Sequence, residues 1–280
     1  MPQVVTPEKA TENNSIGHID EMRVKPLSVG NLTIKHGKPA IIVSLIGEDD
    51  ETFLNQASQL ASNQHVQIAE LRVDTHQNAL DADQIAQLGL AIRDRLHGKP
   101  LLLTFRTSQE GGNCEVDDQA YLTLYKRWLA VGFADLIDIE MRTGERITRE
   151  IIDEAHRRDV AVILSFHDFK STPASPALLE RLQWQEAQGA DILKIAAMPH
   201  SPEDVIRLLE VTRLMREQSD KPLLTMSMGD LGKLSRAAGE LFGSNLTFAS
   251  QGAASAPGQL SVETLSDMLD ALHLPPQGRD

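Results

Sequence analysis

The residues with chemical potential in this sequence sit where its apolar runs end. Ser44, Glu70 with Arg72, Arg106, Asp138 with Glu140, His167 and Lys194 all lie at or near the C-terminal ends of short β-branched and aliphatic segments. An ionised group midway along a fully buried strand is costly unless it reaches a polar site. Glu70 and Arg72 are two residues apart, as are Asp138 and Glu140, so each pair shares a strand face while Leu71 and Ile139 turn the other way. Lys194 is the most informative of the set, because it interrupts the run Ile192-Leu193-Lys194-Ile195-Ala196-Ala197. Two roles suit it. As a filler it would pair with Glu70 or Asp138; as a nucleophile it would be a desolvated amine among cations, able to condense with a carbonyl. An ordinary lysine is neutral in only about one part in 2,500 at pH 7, and a pKa of roughly 7–8 raises that share to about 10–50%. Arg72, Arg106 and a dry surround would supply such a shift. His167, one strand earlier and read at the same level, is the histidine in a strand-end context and the natural proton shuttle. Arg236 lies just inside the helix that follows the run ending at Met228, and its planar fork suits a carboxylate.

Something regular must bring these groups together. The apolar runs begin near residues 40, 66, 100, 134, 160, 190, 221 and 245, and each gap holds a stretch with helical apolar spacing, such as Phe53, Leu54, Ala57, Leu60 and Ala61. Eight strand–helix units predict an α/β fold, a single (β/α)8 TIM barrel over residues 26–274. Leu27-Ser28-Val29 and Leu32-Thr33-Ile34 flank Gly30-Asn31 and predict a hairpin closing the N-terminal end. A doubly wound open sheet is the alternative, but eight similar units without a glycine-rich first turn favour closure. Active sites of such barrels lie on the C-terminal face, where the charged strand ends converge. Residues 1–25 are polar and aperiodic and read as a flexible tail, and 275–280 as a short C-terminal tail. Tyr121, Tyr125 and Trp128 share one predicted helix face, either against the barrel, the favoured reading, or as a subunit contact.

Composition removes several function classes. The 27 Lys and Arg against 40 Asp and Glu give a net charge of −13, with no basic cluster, so no nucleic-acid or membrane partner is expected. A single cysteine, Cys114, excludes an intrachain disulfide and any multi-cysteine metal site. Nothing resembles a secretory signal or an 18-residue apolar span, and the expected location is cytoplasmic. The sequence holds no HExxH, GxSxG or P-loop pattern. No metal or cofactor is expected.

The ordered segments Glu70-Leu71-Arg72, Thr104-Phe105-Arg106-Thr107 with Glu110-Gly111-Gly112, Asp138-Ile139-Glu140, His167-Asp168-Phe169, Lys194-Ile195-Ala196, Thr225-Met226-Ser227-Met228-Gly229, Ser235-Arg236 and Ser255-Ala256-Pro257-Gly258-Gln259 resemble the type I 3-dehydroquinate dehydratases of the shikimate pathway. The resemblance runs over about residues 28–273 and implies a lyase that turns 3-dehydroquinate into 3-dehydroshikimate and water by syn elimination through a lysine Schiff base. It implies that Lys194 attacks the C3 ketone, that His167 removes the C2 proton and returns it to the departing C1 hydroxyl, and that Glu110 orients and tunes His167. Arg236 would pair with the C1 carboxylate, with Glu70, Arg72 and Arg106 around the ring hydroxyls and the lysine. Ser44, Met228 and Phe169 would wall the pocket, Ser255 and Gln259 would belong to a lid, and Asp138 and Glu140 would support the site from behind. The resemblance also implies a homodimer. The chain departs from some relatives in carrying Gly252 and Ala253 where they have lysines before the lid serine. Two other readings remain: a class I aldolase acting on a phosphorylated sugar, which would want a phosphate nest after strands seven and eight, and a silent sensor of quinate-like ligands, which would have lost the lysine or the histidine.

Overall fold

The structure is a computed structural model that describes residues 24–274; the tail expectations for 1–23 and 275–280 fall outside the described residues. Two antiparallel strands, β1 (Leu27–Val29) and β2 (Leu32–Ile34), form the expected hairpin. Eight parallel strands follow: β3 (Ala40–Leu45), β4 (Ile68–Arg72), β5 (Leu101–Thr104), β6 (Leu136–Glu140), β7 (Ala161–Asp168), β8 (Ile192–Ala197), β9 (Leu223–Ser227) and β10 (Leu246–Ala249). Their order is β10-β3-β4-β5-β6-β7-β8-β9. Between them run α1 (Asp50–Ser62), α2 (Ala82–Arg95), α3 (Asp118–Val131), α4 (Gly144–His156), α5 (Ser175–Ala187), α6 (Pro202–Gln218) and the short α7 (Lys233–Ala237) and α8 (Gly239–Phe242), with α9 (Val262–Leu272) last. No helix among the described residues is long and apolar enough to cross a membrane.

The circle closes between β9 and β10 through a side-chain clasp at the N-terminal ends. Asn245 donates its N–H to the Leu223 carbonyl (2.8 Å), while its Oδ1 accepts from Leu223 N–H (3.0 Å). Ser244 Oγ accepts from Thr225 N–H (3.3 Å) and donates to the Leu223 carbonyl (3.1 Å). Backbone groups that a continuous ladder would satisfy are thus paired by two polar side chains and the backbone N–H of Asn245.

Strand alternation sorts the interior into layers. Each barrel strand contributes one buried apolar side chain to the lowest layer: Ile42, Ile68, Leu102, Leu136, Ile163, Ile192, Leu224 and Leu246. Val29 and Ile34 of the hairpin pack against this layer and plug the barrel from below. Two residues further along the same strands come Ser44, Glu70, Thr104, Asp138, Ser165, Lys194, Met226 and Phe248, and two further still Arg72, Glu140, His167, Ala196 and Met228. Polarity therefore begins only above an apolar floor, where the cost of burying charge can be met by partners.

Tyr121, Tyr125 and Trp128 are all buried and pack against one another and Phe105 in tilted and edge-on pairs, with ring centroids 4.7–6.2 Å apart. Their face of α3 packs on the barrel and is not a subunit contact. The first three outer helices begin with aspartate caps: Asp49 accepts from Thr52 N–H (2.8 Å), Asp81 from Gln84 N–H (3.0 Å) and Asp117 from Ala120 N–H (2.7 Å). Replacing Asn245 by Ala should destabilise the fold by about 1–3 kcal/mol, because Leu223 N–H is left buried without a partner. Urea unfolding measures this; a loss within error of zero would show that the clasp does not carry the closure.

Candidate active site

Lys194 rises from the middle of β8 into the second interior layer and is 3% exposed. Its Nζ donates to Asp138 Oδ2 at 2.6 Å and lies 4.8 Å from the centre of the Phe248 ring. Asp138 Oδ1 accepts from Arg106 Nη2 (2.8 Å) and Ser165 Oγ (2.6 Å). Arg106 Nη1 reaches Glu140 Oε1 (3.2 Å), and Glu140 also accepts from Thr107 N–H (2.8 Å), Thr107 Oγ1 (2.7 Å) and Arg142 Nε (2.9 Å). Charges alternate through the cluster, so each carboxylate is neutralised where it stands. Burial pulls the Lys194 amine below its ordinary value; Asp138 opposes this, Arg106 adds to it and Glu70 opposes it. Burial pushes the Asp138 carboxyl up, but Arg106 and then Lys194 and Ser165 outweigh it and leave it below the usual range. The lysine is thus both ion-paired to Asp138 and depressed, which joins the two roles the sequence left open.

Two expectations need correction. Arg72 is not among the groups that bear most on the lysine: its Nε and Nη2 are held at 2.9 Å by the two oxygens of Asp74, and the cation that bears on Lys194 is Arg106. His167 is not level with Lys194 either. The register pairs Lys194 with Ser165 and His167 with Ala196, because neighbouring barrel strands are staggered, and the histidine stands one interior layer higher.

His167 Nδ1 lies 2.8 Å from Glu110 Oε2, leaving Nε2 for the cavity the ring lines. Glu110 follows β5 in a turn whose Gly112 passes so close to the backbone that a Cβ would sit 1.9 Å from the Arg106 carbonyl, which accounts for a glycine there. Burial pushes the Glu110 carboxyl up to about 8, with Arg106 opposing and Glu140 and Asp138 adding. Burial, then Arg106, Lys194 and Arg72, hold the His167 imidazole well below its ordinary value. A separated ion pair is disfavoured in this dry place, and the imidazole is kept uncharged.

Across the cavity stands Arg236 of α7, 1% exposed. Its Nη2 donates to the Pro257 carbonyl (3.1 Å) and Nη1 lies 3.4 Å from Met226 Sδ, while Nε has no partner among the described residues. Burial without a carboxylate pulls it down to about 10. A buried guanidinium so poorly satisfied is a seat for an anion. The loop over it is closed: Ser255 N–H donates to Gln259 Oε1 (2.9 Å), and Ser255 Oγ lies 2.9 Å from Ser44 Oγ. Ser44 in turn donates to Glu70, which also accepts from Thr104 Oγ1 (2.8 Å). Gly258 (φ +77°) holds the loop base down, since a Cβ there would meet the Gly229 carbonyl at 2.1 Å.

The cavity measures about 130 Å³, the scale of the ~150 Å³ that admits a benzene ring. Lys194, His167, Glu110, Glu70, Arg72, Arg106, Arg236, Met228, Phe169, Ser255 and Gln259 line it. Phe169, 38% exposed, stacks near His167 at its mouth (6.3 Å between ring centres). Ser44, Asp138 and Glu140 sit behind this wall and bond to residues in it. Met226, Phe248 and Ala196 also line it, and their place in the inward alternation was the available signal. Asp74, which holds Arg72, lies beyond the strand and left no such signal.

The sequence profile of type I 3-dehydroquinase matches residues 41–276. The chain belongs to that family. It is 40% identical over 267 residues to a catabolic 3-dehydroquinate dehydratase of Acinetobacter baylyi, covering 95% of this chain and 96% of the relative. A 3-dehydroquinate dehydratase of Klebsiella pneumoniae is 41% identical over 88% of this chain and 98% of its own length. Among solved structures, the type I 3-dehydroquinate dehydratase of Clostridium difficile with covalently modified comenic acid superposes with a TM-score of 0.86 at 38% identity, over 89% of this chain and 98% of that one. For this 3-dehydroquinase-family site the proton count is measurable. In an NMR titration His167 should remain neutral as pH falls through 6.5, because its folded pKa is depressed, and should charge only at lower pH. Unfolded chains bind that proton earlier, so this group makes stability fall as pH drops below about 6.5. A charged imidazole at pH 7 would contradict this depression.

Proposed function

We propose that this chain dehydrates 3-dehydroquinate to 3-dehydroshikimate through an imine on Lys194, within one catalytic barrel spanning residues 26–274 and, as the resemblance implies, as a homodimer. One observation carries the reading: a buried, depressed amine opens into the same ring-sized cavity as an uncharged imidazole and an under-satisfied guanidinium. Relatives named for this dehydration, and one named with a covalently modified acid, support it.

Arg236 takes the C1 carboxylate and so fixes the ring in the cavity. Neutral Lys194 Nζ adds to the C3 ketone, and the resulting hydroxyl leaves as water on taking up one proton from solvent, giving a protonated imine; hydrolysis at the end returns that proton. A carbanion beside a bare ketone is hard to reach, whereas beside an iminium it is an enamine. His167 Nε2 takes the C2 proton, with Glu110 orienting its ring and keeping it uncharged beforehand. The enamine then expels the C1 hydroxyl, which leaves as water on receiving the proton from His167. One water hydrolyses the imine and frees Lys194, so the net yield is one product and one water. Glu70, Arg72 and Arg106 contact the ring hydroxyls and shape the field, and Met228 and Phe169 wall the ring. Ser255 and Gln259 seal the cavity with Ser44 behind them, keeping bulk water from the imine. Asp138 and Glu140 hold Arg106 and the lysine in place.

Borohydride added with 3-dehydroquinate should inactivate the protein and leave a mass adduct on the Lys194 peptide, and Lys194→Ala should abolish both; an adduct elsewhere, or none, overturns the mechanism. Arg236→Ala should raise KM by about 30-fold or more, equivalent to roughly 2 kcal/mol of lost carboxylate binding. Steady-state kinetics checks it, and an unchanged KM would remove Arg236 from the carboxylate seat.

A further inference from the structure

Two strands of the site are gripped from outside the barrel by side chains of the helix layer. The β5–β6 ladder pairs Leu102 with Leu136, Leu103 with Ile137 and Thr104 with Asp138, and ends there. Beyond it Tyr125 of α3 bridges the strands: its hydroxyl accepts from Phe105 N–H (3.1 Å) and donates to the Asp138 carbonyl. Tyr121, one turn earlier, accepts from Glu140 N–H (3.1 Å). On β8, Lys194 donates its N–H to Gln185 Oε1 of α5 and accepts from Gln185 Nε2 at its carbonyl, both at 2.9 Å. All three side chains are fully buried.

Backbone groups of a barrel strand ordinarily bond a neighbouring strand. A hydroxyl or a carboxamide both donates and accepts, so it inserts between backbone groups without orphaning either while holding them a spacer apart. Apolar packing alone would be served by Phe at 125 and Met at 185. The backbones held this way are those of Asp138 and Lys194, whose side chains meet at 2.6 Å.

We propose that Tyr125 and Gln185 are positioning residues for the reaction, setting from outside the barrel the separation of Asp138 and Lys194. The role rests on the reading of Lys194 as the imine-forming amine. That amine is faced by Asp138 and Glu140 on β6, Arg106 beyond β5, Glu70 on β4 and His167 on β7, and across the cavity by Arg236, Arg72 and Glu110. Asp138 is the first of these to favour the ammonium form. Drawing it away leaves burial and Arg106 less opposed, so the amine loses its proton at lower pH.

The test compares wild type, Tyr125→Phe, Gln185→Met and a packing control, Trp128→Phe, as full-length protein. kcat, KM and borohydride trapping on the Lys194 peptide are followed against pH. The two positioning variants should lose about 10–100-fold in kcat with KM near wild type, and the acidic limb of their trapping profile should move to lower pH. Trp128→Phe should lower the melting temperature without moving the limb. Limbs that match wild type in the folded variants overturn the role, as does an equal displacement in Trp128→Phe; where one variant does not fold, the other decides. No adduct on Lys194 in wild type overturns the reading of that amine and the positioning role with it, whereas an adduct with unmoved profiles overturns the positioning role alone.

Discussion

The contact between Lys194 Nζ and Asp138 Oδ2, 2.6 Å long inside a closed barrel, is the constraint around which the rest is arranged. Away from water a lone ammonium and a lone carboxylate are each costly, and their mutual attraction repays this only when further partners complete the set. Arg106 and Ser165 complete it for Asp138, Glu140 gives Arg106 a second carboxylate, and Thr107 and Arg142 complete the set for Glu140. The pair is therefore poised. Burial and Arg106 favour a neutral amine, Asp138 and Glu70 favour a charged one, and small displacements decide between them. An amine fully committed to its carboxylate would be a structural filler, and one with no carboxylate would have nothing to hold it in place.

The same economy governs the other two poles of the cavity. Burial disfavours a separated Glu110–His167 ion pair in this dry site, which keeps a base ready without a free charge. Arg236 is left under-satisfied, with a lid carbonyl and a thioether as its contacts. Since Nη2 rests on Pro257 of the closed loop, the group suited to an anion is also one that touches the lid. In the loop after β9, where an aldolase would want a phosphate nest, Asp230 is exposed and paired with Lys233. That placement disfavours a second anion there.

Much was legible in the sequence because strand alternation is a local property. Each run holds an apolar residue facing inward near its start, and the residues at even spacing behind it, such as Glu70, Asp138 and Lys194, must face inward too. The eight-unit count, the hairpin and the convergence of charged strand ends on one rim follow from that alternation. The level of His167 did not, because the stagger between strands is a property of closure. Arg72 shows the same limit, since its partner Asp74 lies past the strand where alternation says nothing.

Tyr121 and Tyr125 mark the boundary most clearly. Their spacing placed them on one helix face, and burial against the barrel was the better of two readings, but nothing local revealed that their hydroxyls enter the gap between β5 and β6. Gln185 carried no signal at all, though it holds both backbone groups of Lys194. The sequence alone thus determined the repeating unit, the inward face and the cast of reactive side chains, because periodicity and charge cost act over a few neighbouring residues. The tertiary structure decided which carboxylate meets the lysine, which cation bears on it and which helix holds it, because those contacts depend on strand stagger and helix rotation across the closed barrel.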